Sequence, residues 1–252
     1  MAGIIRYGSY VPYFRLTRAA IGAGKGERAV ASYDEDAVSL AVEAARDAVR
    51  GGGEPDTLLF ATLSPPYAEK LNAATIQAAL DLPAQIAAAD LGGSSRAGLG
   101  GLLLGLDLAR AGQRVLVCAS DVVVGAPGGA RETQGGDAAV AFVTGGDGEA
   151  IARLVGRAST TLEILDLWRL PEERFARQWE ERFTADTMAP AITDTATRAL
   201  AAAGVEASTL ATVILDGTNP RSMAGLPRAL GLRPERPGNN GSRSASSSSA
   251  VA

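Results

Sequence analysis

Apolar and polar positions fall into alternating strand-length and helix-length blocks through the first 145 residues. Gly3 to Val11 reads as a strand with a tyrosine-rich end, stopped by Pro12. Ile21 to Ala31 is glycine-rich and polar and predicts a loop. Asp34-Glu35-Asp36 supplies acidic residues for the start of a helix running to about Val49, with Val38, Ala41, Val42, Ala45 and Val49 on one face. Gly51-Gly52-Gly53 ends it. Thr57 to Leu63 (TLLFATL) is a continuous apolar run, the pattern of a strand covered on both faces. Asn72 to Leu80 predicts a short helix, Ile86 to Leu91 a short strand, and Ser95 to Ala111 a long, glycine-flecked, buried helix. Arg114 to Ser120 (RVLVCAS) and Ala138 to Thr144 (AAVAFVT) predict two more buried strands, with a turn at 145–148.

Beyond the turn the expected elements are a strand over Ile151 to Ser159 and a short helix then loop within Asp166 to Phe183. An amphipathic helix follows over Thr187 to Ala203, then a strand over Leu210 to Leu215 and a short helix over Met223 to Leu230. Gly238 to Ala252 turns into a Gly/Asn/Ser stretch whose composition is that of a disordered tail. Such alternation predicts an α/β fold with a mixed or parallel sheet covered by helices. Two halves are expected, 1–150 and 151–240, followed by a serine-rich tail over 241–252.

Composition narrows the functions. Hydrophobic residues make up 46% of the 252 positions and aromatics only 5%, so aliphatic side chains and alanine pack the core. The net charge of −4 leaves no basic surplus for a general nucleic-acid-binding role. With no histidine and one cysteine, Cys118, a zinc site of the usual ligands is excluded, as is any imidazole mechanism run by this chain alone. No apolar run approaches the roughly 20 residues that span a bilayer, and no secretion-signal pattern opens the chain. The expectation is a soluble cytoplasmic protein in a reducing compartment.

Several segments, taken in order, resemble the thiolase superfamily and within it hydroxymethylglutaryl-CoA synthases of bacterial and archaeal type, which are related to ketoacyl-ACP synthase III. GIIRYGSYVPYFRL resembles the family's first strand and DEDAVSLAVEAARDAV its first long helix. ATLSPPYAEK (61–70) resembles the segment that ends in an HPYA-like motif, and DLGGSSRAG (90–98) the segment that carries the catalytic cysteine. GGDAAVAFVTG (135–145) resembles the strand closing the first half, and DLWR (166–169) and ERFT (181–184) the start of the second. VILDGTNPR (213–221) stands where the family has a strand ending in His-Gln-Pro-Asn, and GNN (238–240) where it has a Gly-Asn-Thr loop.

The resemblance implies a thiolase-like fold of two similar βαβαβαββ halves in a five-layered αβαβα arrangement, with the C-terminal half shortened. It implies a homodimer, an acyl-CoA substrate as the only source of coenzyme A, and acyltransferase chemistry of the kind used in lipid and isoprenoid metabolism. A thiolase or an OB-fold protein is the implied alternative partner. It also assigns positions. Ser95 falls where the family's nucleophilic cysteine stands at a helix N-terminus, the place where a thiolate is favoured. Asp216 falls at the family's histidine, and Leu63 at its general-base glutamate. Asn219 and Asn239 match pocket asparagines. Arg221, with Arg169, Arg177 and Arg182, suits a CoA phosphate.

Each assignment has a plainer alternative that the sequence leaves open. Ser95 reads as a helix N-cap or as a nucleophile or hydrogen-bond donor to an acyl group. Asp216 reads as a turn residue within Asp-Gly-Thr-Asn-Pro or as a general base. Asn219 and Asn239 suit turns as well as a pocket. Cys118, inside RVLVCAS, reads as a small core hydrophobe. Three functions follow: an acyltransferase with altered residues, a non-catalytic acyl-CoA-binding or scaffold subunit, and a truncated gene product.

Overall fold

The computed structural model describes residues 2–146, 148, 150–217 and 223–232. Contacts divide the chain into two compact units, the first ending at Leu154 and the second beginning at Val155.

The first unit is built on one six-stranded sheet. Its strands are β1 (Ala2–Tyr10), β4 (Thr57–Ala61), β5 (Ala87–Leu91), β6 (Val115–Asp121), β7 (Ala138–Gly146) and β8 (Ala152–Arg153), in the order β5-β4-β6-β7-β1-β8. The β5, β4 and β6 strands run parallel, while β7 is antiparallel to both β6 and β1. Every residue of β4 and β6 is buried, as their unbroken apolar runs require. Alternate side chains serve opposite faces. Leu58, Phe60, Leu116 and Cys118 pack in one core with helix α1 (Ala37–Val49) and with α2 (Asn72–Ala79) beside it. Leu59, Val115 and Val117 pack on the other face, where α3 (Ala97–Arg110) lies with the position of a Gly105 Cβ only 2.7 Å from Val117.

Local chemistry explains the helix start of α1. Asp36 accepts from the Ser39 backbone N–H at 2.8 Å and Ser39 Oγ accepts from the Asp36 N–H at 2.8 Å, a reciprocal capping box. Gly8 lets this helix lie against β1, since a Cβ there would stand 2.2 Å from the Ala44 carbonyl oxygen.

The structure departs from the expected elements in six places. The loop foreseen over Ile21 to Ala31 contains a strand, β3 (Glu27–Val30), which pairs with β2 (Phe14–Thr17). The glycines of this segment serve the link, Gly22 and Gly24 having φ of 70° and 83°. Arg28 anchors β3 from the buried side, donating to Asp137 and to the carbonyls of Val123 and Glu132. A short helix, α4 (Ala130–Gln134), was not foreseen.

In the second unit, the helix foreseen within 166–183 is instead a ladder of β9 (Leu167–Trp168) with β10 (Arg177–Gln178). Pro171 disfavours helical backbone at the preceding residue, and Arg177 pairs with Glu173 to close the turn. Helix α5 (Glu181–Ala203) starts earlier than foreseen, and Thr187, Thr193, Thr195 and Thr197 each donate back to the carbonyl four residues earlier. The foreseen strand over Ile151 to Ser159 shortens to β8. No strand forms over Leu210 to Leu215, because no neighbour among the described residues supplies a ladder; α6 (Leu226–Ala229) follows. The 238–252 segment lies outside the described residues.

Candidate functional site

The carboxyl ends of β4 and β6 and the amino end of α3 meet at one small hollow in the first unit. Parallel pairing in register, Ala61 opposite Ala119, brings the residues that follow both strands side by side. Ala61, Thr62, Leu63, Ser94, Ser95, Ala97, Gly98 and Asp121 line it. Ser95 and Leu63, assigned to two different catalytic positions, therefore share one cavity wall.

Ser95 is half-buried and is not the helix cap. Arg96 holds that position in helical conformation, without a capping side-chain bond. Ser94 makes the local bond instead, its Oγ accepting from the Arg96 N–H at 3.2 Å. Helix α3 is also less enclosed than its composition suggests, with Leu99 52% and Leu104 43% exposed.

The organising group of the hollow is Asp121, which sequence reasoning passed over. It is 5% exposed. Its Oδ1 accepts from the Leu63 N–H at 2.6 Å, from Thr62 Oγ1 at 3.0 Å and from Ser64 Oγ at 3.2 Å. Ser64 Oγ in turn accepts from the Val122 N–H at 2.8 Å, and Thr62 Oγ1 from the Ser64 N–H at 3.0 Å. The loop 62–64 is thus tied hydroxyl by hydroxyl to the end of β6. Two hydroxyl residues flanking Leu63 and an acid ending an apolar run were the available signals; only the pairing of β4 with β6 joins them.

Leu63 carries no titratable group, so this position can neither take nor give a proton. Cys118 lies on the α1 face of β6, opposite the face that carries Asp121, and is fully buried. Burial pushes its thiol up to about 12, the reverse of what a nucleophilic thiolate needs.

Asp216 is exposed in the irregular stretch before the end of the described segment in the second unit. Asn219, Arg221 and Asn239 lie outside the described residues. Arg169 donates to the Glu173 carbonyl at 2.9 Å and Arg177 pairs with the Glu173 carboxylate, so both are engaged locally. Among the described residues, no three His, Cys, Asp or Glu side chains group as metal ligands. No described helix is long and apolar enough to cross a membrane.

Comparison with known proteins bears on the family and the fold. No family model matches the chain. The chain is 32% identical over 198 residues to the hydroxymethylglutaryl-CoA synthase of Pyrococcus furiosus, covering 73% of this chain and 56% of the relative. It is 33% identical over 205 residues to that of Methanocaldococcus jannaschii, covering 74% and 59%. The matches thus span a little over half the length of these curated relatives. Among solved structures, 3-oxoacyl-(acyl carrier protein) synthase III of Pseudomonas aeruginosa superposes with a TM-score of 0.80 at 22% identity, covering 92% of this chain and 80% of that one. An HMG-CoA synthase complexed with CoA superposes at 0.70 with 19% identity, covering 81% and 57%. The fold is thiolase-like α/β, and the ordered motifs, the sheet and these relatives agree: the chain belongs to the hydroxymethylglutaryl-CoA synthase-like family of the thiolase superfamily.

Proposed function

We propose that this chain binds an acyl-CoA thioester with the acyl end in the Ser95 hollow, on a condensing-enzyme scaffold that lacks the family's thiolate, imidazole and glutamate. The observation that carries this reading is the joint placement of Ser95, Leu63 and Asp121 in one small-residue wall at the start of α3. Backbone and hydroxyl donors at a helix N-terminus suit a polarised carbonyl oxygen. The hollow has room for about one water-sized group, which suits the carbonyl oxygen of the thioester rather than the acyl chain. Ser95 serves as a hydrogen-bond donor to that oxygen rather than as a nucleophile, since an alkoxide needs a general base within reach; Leu63 supplies none, and the Asp121 carboxylate bonds to Leu63, Thr62 and Ser64 and not to Ser95. Asp216, Asn219, Asn239 and Arg221, assigned by the family resemblance, are proposed as acyl-CoA-binding residues, with Arg221 for a phosphate. A second copy of this chain is the proposed partner, favoured by the β5 edge, which has one ladder neighbour among the described residues. A role beside a thiolase or OB-fold partner in isoprenoid metabolism belongs to the same reading.

Calorimetric titration of the purified chain with acetyl-CoA tests it. Saturable binding is expected, weakened about tenfold or more by Ser95→Leu, which fills the hollow. Absence of binding, or equal binding by Ser95→Leu, overturns the reading. Mass spectrometry of the chain after incubation with acetyl-CoA is expected to show no acyl adduct. An adduct lost in Ser95→Ala would instead establish the serine as a nucleophile.

A further inference from the structure

We infer that the loop joining β2 to β3 is a phosphate site, in which the N–H groups of Gly24, Lys25 and Gly26 and the side chains of Arg18 and Lys25 hold a phosphate monoester or a diphosphate. The inference does not rest on the acyl-CoA reading. Arg18 closes the loop with its own backbone, its N–H donating to the Gly26 carbonyl at 2.8 Å and its carbonyl accepting from the Ala23 N–H at 2.8 Å. Its guanidinium folds back over the loop, with Nη1 3.8 Å from the position a Gly26 Cβ would take. The side chain is half-buried there, and its Nε is shut off from water with no acceptor. No carboxylate among the described residues pairs with it. Glu27, the next acid in the chain, faces Arg15 instead at 3.8 Å. A cation withdrawn from water without a partner is costly, and a bound anion removes that cost.

The backbone beside Arg18 suits the same ligand. Gly24 and Gly26 have φ of 83° and 97°, and Lys25 between them has ordinary, negative φ. Alternation of this kind turns successive N–H groups towards one side, the concavity in which glycine loops bind anions. No acceptor among the described residues meets the N–H of Gly24, Lys25 or Gly26. Nothing stands within 4 Å of a Cβ placed at Gly22 or Gly24, so a ligand has access. Lys25 is exposed and has no ion-pair partner among the described residues. Three amides, a guanidinium and an ammonium offer more donors than the two oxygens of a carboxylate accept. The charges of Arg18 and Lys25 together match a phosphate dianion. Such a phosphate belongs either to coenzyme A, which carries a monoester and a diphosphate, or to a separate small anion.

Thermal melts of the chain in sodium phosphate and in sodium chloride of equal ionic strength read the site without any thioester. Phosphate is expected to raise the melting temperature of the wild type, and not that of Arg18→Met or Lys25→Glu. In chloride, Arg18→Met is expected to melt no lower than the wild type, because it removes an unpaired guanidinium; a side chain that only packs would melt lower when replaced. Lys25→Glu changes an exposed side chain and keeps the inference testable should Arg18→Met fold poorly. Calorimetric titration with inorganic pyrophosphate is expected to show binding that each variant weakens at least about tenfold. Repeating that titration under saturating coenzyme A distinguishes the two sources. Coenzyme A as the source abolishes pyrophosphate binding and is itself bound about tenfold more weakly by Arg18→Met. A separate anion as the source leaves pyrophosphate binding unchanged by coenzyme A. Either result supports the site. An equal phosphate shift in the wild type and both variants overturns the inference, as does the absence of both a phosphate shift and pyrophosphate binding. Failure of coenzyme A and acetyl-CoA to bind, with pyrophosphate still bound, overturns the acyl-CoA reading and leaves this inference standing.

Discussion

Asp121 Oδ1 lies 2.6 Å from the backbone nitrogen of Leu63, 58 residues away in the chain. Through that bond the end of β6 fixes the loop after β4, and the loop fixes one wall of the Ser95 hollow. Asp121→Ala removes the acceptor of three donors at once. It is expected to destabilise the first unit by about 2–4 kcal/mol, since a buried donor left unpaired costs about 1–3 kcal/mol. Asp121→Asn is expected to cost much less. Denaturant unfolding followed by far-ultraviolet circular dichroism measures both; tryptophan fluorescence does not, because Trp168 and Trp179 belong to the second unit. Equal stability of the alanine variant and the wild type would contradict the network's structural role.

Two glycines of α3 make opposite predictions. A Cβ at Gly105 would stand 2.7 Å from Val117 Cγ2. Gly105→Ala is therefore expected to destabilise by about 1–2 kcal/mol, the strain of overpacking exceeding the gain in helix propensity. Gly100 has open space where its Cβ would be. Gly100→Ala is expected to stabilise by about 0.5–1 kcal/mol. Thermal melts of the two variants decide, and stabilisation by Gly105→Ala would mean that α3 does not pack closely on β6.

The first unit was legible in its apolar patterning because its central strands are covered on both faces, and a run such as VLVCASD has no other soluble use. The start of α1 was legible because Asp36 and Ser39 satisfy each other locally. The β2–β3 hairpin was not, because what holds it is a contact between Arg28 and Asp137, 109 positions apart. Asp121 was overlooked for the same reason: it reads as a strand end until β4 is laid beside β6. Ser95 was found through family resemblance, and no periodicity distinguishes it from Ser94. The apolar VIL run at 213–215 reads as a strand, yet Val213, Ile214 and Leu215 are 37%, 69% and 40% exposed and form no ladder among the described residues. Pattern states what a segment is suited to, and a partner strand has to be present to realise it.

The Arg28–Asp137 pair is buried on both sides, at 5% and 4% side-chain exposure and 3.2 Å. Removing one member leaves the other charge uncompensated. Arg28→Met and Asp137→Ala are each expected to cost about 3–5 kcal/mol, and the double variant much less than their sum. A double-mutant cycle on unfolding free energies gives the coupling. Additive single costs would show that the two groups act separately.

Two groups make the fold sensitive to alkali. Burial raises the Cys118 thiol to about 12, and the hydrogen bond to Glu35 raises the Tyr10 hydroxyl to about 12. In both, the native state holds its proton more tightly than the unfolded chain. Their contributions are complete below the ordinary values of 9.0 for the thiol and 10.0 for the phenol, and are lost as the pH climbs towards about 12. Stability is therefore expected to fall between pH 9 and 12, with the lower part of that decline removed in Cys118→Ala. A thiol reagent is expected to label Cys118 only as fast as the unit unfolds. Rapid labelling of the folded chain would show an accessible thiol.

Binding of an acyl-CoA at the Ser95 hollow is expected to change hydrogen–deuterium exchange of the chain between samples with and without saturating acetyl-CoA. Within the first unit, added protection is expected in the loop 62–64 and in the segment 94–101, and not in β2. Unchanged exchange at 62–64 and 94–101 under saturating ligand would show that the thioester does not bind at this hollow.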